Sequence, residues 1–167
     1  MIFEFIPVSA FTLMVVLVVY SLFAQKVTVF SVVLFVQFFM EMLHQGIELY
    51  VGEIDGTLPA HLINFFWYMS FAVTDILIIF VLFRLIRLFK LRADWLVKAV
   101  AGSYAMYALI QLSRYIDRML LETNILGAFY RAAIINLNNI VVLMLVCYLI
   151  LELVGFVRKK HSDTQIY

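Results

Sequence analysis

The stretch Val27–Val51, VTVFSVVLFVQFFMEMLHQGIELYV, restricts the fold of this chain more than any other. Its first half is apolar on every side. Its second half carries Glu41, His44, Gln45 and Glu48, with Gln37 one turn earlier. At ~3.6 residues per turn, these polar positions fall on one stripe of a helix. A helix that is apolar all round and then polar along one line belongs in a bilayer, with the line turned toward protein or water.

Four more runs are long enough to cross a hydrocarbon layer of ~30 Å, which takes ~20 helical residues. The spans are expected at 5–24, 27–51, 62–83, 95–112 and 132–157. The fold expected is an all-α integral membrane protein, one compact bundle of five transmembrane helices. Four spans is the alternative, because the 95–112 run is the least hydrophobic. Hydrophobic residues make up 66% of the 167 residues and charged ones 14%, more apolar surface than a water-soluble domain of this size can hide. The loops are too short for a separate soluble domain.

The first residues, MIFEFIP, carry Glu4 where a secretory signal has its basic region, so the first run is expected to be retained as a span. Lys and Arg then set the orientation. Lys26, the group Arg84, Arg87, Lys90, Arg92 and Lys98, and the tail residues Arg158, Lys159 and Lys160 mark the cytoplasmic side. The loop GEIDGTLPAH, with Glu53 and Asp55 and no Lys or Arg, marks the other. Five spans satisfy both, with the N-terminus outside and the C-terminus in the cytoplasm of a cell with an inner membrane.

The polar groups inside the spans are the candidate site: Glu41, His44, Gln45, Glu48, Asp75, Gln111, Arg114, Asp117, Asn136, Asn138 and Asn139. Asp75 sits mid-span beside Thr74, and facing lipid it would cost ~2.5–3.5 kcal/mol. Arg114 and Arg131 are its possible partners by charge, though depth is against both. Glu41, Glu48 and Asp117, set against Arg114, Arg118 and Arg131, suggest an interhelical salt-bridge network or, alternatively, a water-filled vestibule. The three asparagines are expected near the outer end of span five, as interhelical glue or the lining of an ion path. Trp67, Tyr68, Trp95, Tyr104 and Tyr148 read as belt or packing residues near span ends.

Several chemistries lack their residues. Glu41 and His44 have the i, i+3 spacing of carboxylate-bridged metal helices, but no second such pair exists, so no metal is expected. A haem between helices needs two facing histidines, and His44 is the only one inside a span. No nucleophile elbow, P-loop or dinucleotide fingerprint is present. Arg84, Arg87 and Lys90 recur every third residue as in a voltage sensor, yet they follow the end of the apolar run and read as headgroup anchors. Cys147 lies in an apolar run as a packing residue. A net charge of +1 gives no reason to expect nucleic acid.

The function expected is therefore noncatalytic: a multispan subunit, without cofactor, that homo-oligomerises in the lipid bilayer and anchors or signals to a soluble cytoplasmic protein partner. Chains of this build often form the membrane half of two-component bacterial systems, including anti-phage (antiviral) defence and toxin immunity. The alternative is an oligomeric ion channel or pore with a polar lumen. An intramembrane enzyme ranks last.

Overall fold

In a computed structural model, the backbone is described from Pro7 to Thr164 and side chains to Phe156. The described residues are 85% helix with no strand, and five helices carry them. They are α1 (Val8–Ala24), α2 (Val29–Ile54), α3 (Ala60–Leu88), α4 (Trp95–Tyr115) and α5 (Gly127–Thr164), with a π-helical turn at Ile116–Leu120 after α4. Three of them, α2, α3 and α5 through Phe156, are long and apolar enough to cross a membrane. A helix occupies each of the five expected runs with shifted bounds, but α1, at 17 residues, and α4 fall short of that length or hydropathy. Glu4 and the start of the first span lie outside the described residues, as do the side chains of Arg158, Lys159 and Lys160.

The helix ends follow from local chemistry. Pro7 precedes α1, where a missing N–H costs nothing. Gln25 closes α1 in the left-handed region (φ 52°), its N–H reaching Ser21 O at 2.9 Å. Thr28 then caps α2 reciprocally with Ser31: Thr28 Oγ1 accepts from Ser31 N at 3.1 Å, and Ser31 Oγ accepts from Thr28 N at 2.9 Å. Lys90 (φ 54°) ends α3, with Leu91 N donating to Ile86 O at 2.9 Å. Asp94 opens α4 by accepting from Val97 N at 3.1 Å.

Tight turns make neighbouring helices antiparallel. The 25–28 and 89–94 turns meet the middle of α5 at one end, here the basic end. Tyr148 donates to Asp94 at 2.6 Å there, and Tyr20 donates to Glu152 at 3.1 Å. At the opposite end Phe65 meets Tyr115, and Tyr68 meets Tyr130 edge-on. α4 thus runs the length of the bundle despite its weak hydropathy. Its buried Ala101, Ser103 and Ala108 admit its neighbours closely, so its composition reflects contact with the other helices. The basic half of the core is apolar and closed around Phe30, Val33, Leu34, Leu82, Leu96 and Val97.

Candidate functional site

Above that plug lies a belt of polar side chains. Tyr104 is buried on α4, and its hydroxyl donates to Gln37 Oε1 on α2. Tyr107, one turn on, donates to Asn138 Oδ1 on α5. Counted from the Asp94–Tyr148 contact at ~1.5 Å per residue, Tyr104 and Asn139 both lie roughly 14 Å into the bundle. The three asparagines therefore sit at its middle, not near the outer end of their span, because α5 runs on past the other helices at the basic end. Tyr104 is likewise buried at mid-bundle, which keeps the packing role expected of it and excludes the belt and the span end. A phenol hydroxyl inside an apolar run is the signal that sequence reading passed over.

Further toward the opposite end, Asp75 is 1% exposed and faces His44, whose Nε2 is 3.5 Å from Asp75 Oδ1. Asp75 Oδ1 accepts no hydrogen bond. The Thr74 hydroxyl donates back into its own helix, to Ser70 O at 2.8 Å and Phe71 O at 3.0 Å. Thr74 Oγ1 also lies 3.2 Å from His44 Nε2, so with its proton engaged it acts there as acceptor. That pattern assigns the imidazole proton to Nε2, aimed between Thr74 and Asp75. The expected pairing of Asp75 with Arg114 or Arg131 does not form. Depth decides it, since both arginines belong to the far end.

The single Lys/Arg ion pair among the described residues is Arg114–Asp117, with both side chains buried. Asp117 Oδ1 also accepts from the Thr123 hydroxyl, and Oδ2 accepts from Leu126 N at 3.2 Å. These bonds hold the Asp117 carboxyl below the usual carboxylate range. The Thr123 hydroxyl does most, and Leu126 N–H and the guanidinium add to it against the opposing push of burial. Arg114 Nη2 continues to Asn124 Oδ1 at 2.5 Å, and Tyr130 donates to Gln111 at 3.1 Å. The expected six-residue salt-bridge network is thus one capped pair that fastens the α4–α5 connection.

The α2 stripe is divided. Gln37 is buried, His44 and Gln45 are half-buried, and Glu41 and Glu48 are exposed. Glu41 accepts from Ser9 of α1 at 2.8 Å. Asn136, Asn138 and Asn139 are exposed too. Gln37, Asp75, Gln111, Arg114 and Asp117 are thus buried within the bundle, whereas Glu41, Glu48 and the three asparagines lie on its outer surface. Arg84, Arg87, Lys90, Arg92 and Lys98 are all exposed at the basic end. No group of three or more His, Cys, Asp or Glu among the described residues could hold a metal ion.

No family model matches the chain, and neither a curated protein nor a solved structure matches it. Its function has to be argued from the geometry.

Proposed function

We propose that the chain is a noncatalytic multispan membrane subunit, its basic end in the cytoplasm, that docks a soluble partner there. The observation that carries this reading is the free charge at that end. Arg84, Arg87, Lys90, Arg92 and Lys98 are exposed, and none forms an ion pair among the described residues. They stand on a platform fixed by the left-handed end of α3 and the Asp94 cap of α4. Fixed, unneutralised cations suit an acidic protein surface, and each adds ~1 kcal/mol against anionic lipid nearby. An inner-membrane location and a place in a two-component defence or immunity system belong to the same proposal.

Site-specific photo-crosslinkers at Arg92 and Lys98, used in native membranes, test it. One soluble acidic protein should be captured at both positions. Reversing Arg84, Arg87 and Lys90 to Glu should abolish capture while reporter fusions show unchanged topology. Capture that survives the reversal would reject the docking surface.

A second reading, ion conduction, draws on Asn136, Asn139 and Glu41, which are polar and exposed on helices otherwise suited to lipid. The apolar plug closes the single bundle, so any path would run between copies. Ion flux from reconstituted protein that changes in Glu41→Gln would favour this reading over the first.

A further inference from the structure

α5 turns Val141 and Leu145 into the bundle and leaves its other side uncovered. Along that side Ala132, Asn136, Asn139, Leu143, Val146 and Ile150 follow at alternating spacings of four and three, all exposed. Acyl chains account for the apolar members but not for two amides at mid-bundle, roughly 14–18 Å from the basic end and too deep for headgroups. Asn136 Nδ2 bonds back to Ala132 O at 2.8 Å, which leaves its oxygen open. Asn139 makes no side-chain hydrogen bond among the described residues. Asn138, beside it, is already engaged by Tyr107.

The geometry points to a second copy of this chain, its α5 packed parallel against this one along that seam. Depth and chemistry both select this occupant. A copy inserted the same way brings its own Asn139 to the same level. An amide is at once donor and acceptor, so two asparagines satisfy each other across a two-fold axis, as two carboxylates would not. The alternating spacing is that of a left-handed helix pair crossing at ~20°, in which polar asparagines at core positions set the register. This inference rests on the membrane reading and extends it from unspecified oligomerisation to one interface.

The test replaces Cys147 by Ser and places single cysteines at Leu143, Val146, Ile140 or Val142 for oxidation in native membranes. Covalent dimers of this chain are expected at Leu143 and Val146, on the seam, and not at Ile140 or Val142, beside it. Asn139→Leu, a change that leaves the Tyr107–Asn138 bond alone, should weaken self-association in detergent about tenfold. Equal crosslinking at all four positions, crosslinks to a different protein, or unchanged association in Asn139→Leu would overturn the proposal. Alkaline carbonate extraction separates two kinds of failure. Protein retained in membranes without seam crosslinks rejects the seam alone, whereas protein stripped from them rejects the membrane reading as well.

Discussion

Both carboxylate oxygens of Asp117 accept hydrogen bonds, from the Thr123 hydroxyl, Leu126 N and the Arg114 guanidinium, and that makes it the carboxylate with the most donors among the described residues. A carboxyl lowered by folding adds stability above its unfolded value, ~3.9, and loses it as pH falls through the lower folded value. Thermal unfolding in detergent should therefore show a loss of stability below about pH 4. Asp117→Asn should be less stable than the parent at neutral pH and should flatten that part of the curve. Gly127 belongs to the same junction. A β-carbon there would lie 2.7 Å from Asn124 Oδ1 and 3.2 Å from Arg114 Nη2. Gly127→Ala should push Asn124 off the guanidinium and lower stability by ~1–3 kcal/mol, the cost of leaving a buried charged donor short of a partner. Asp75 is the contrasting case. Its Oδ1 accepts nothing, so Asp75→Asn forfeits no hydrogen bond at that atom and should unfold within ~1 kcal/mol of the parent.

Helix boundaries show which parts of the architecture could be read in advance. Asp94 stands immediately ahead of the expected 95–112 span and caps it, whereas the expected 27–51 span ran through Thr28, whose cap with Ser31 starts α2 two residues later. Thr28→Ala should cost ~1 kcal/mol, and Gln25→Gly should gain up to ~1 kcal/mol by relieving a left-handed residue. Thermal melts of the two variants check the opposite signs. The five helices were legible because their apolar runs are continuous, although only three of them are long and apolar enough to cross a membrane. The reach of α5 was not, because hydropathy does not say where along a helix its neighbours stop. That single shift of register moved Asn136, Asn138 and Asn139 from the rim to the middle of the bundle. The partners of Asp75 and Arg114 were hidden for a related reason. Charge complementarity named candidates, whereas antiparallel packing decided which of them share a depth. Tyr104 was counted as an aromatic and Tyr107 was not singled out, although their hydroxyls tie α4 to α2 and α5.

Across the whole molecule, polarity is distributed unevenly from end to end. The half toward the 55–59 loop holds Glu41, His44, Asp75, Gln111 and the Arg114–Asp117 pair. The basic half is packed with Phe30, Val33, Leu34, Leu82, Leu96 and Val97, each at most 1% exposed. Water that enters from the loop side would therefore stop near the Gln37–Tyr104 contact, since an apolar interior at native density has no room for it. Labelling with a membrane-impermeant thiol reagent, in a Cys147→Ser background, checks this. A cysteine at Thr57 should react from one side of the membrane and one at Arg92 only from the other, as helices alternating in direction require. Cysteines at Val33 and Leu34 should react from neither side. Labelling at those two positions, in protein that still melts cooperatively, would mean that water traverses the bundle itself. The case for conduction between copies would then give way to a path inside one.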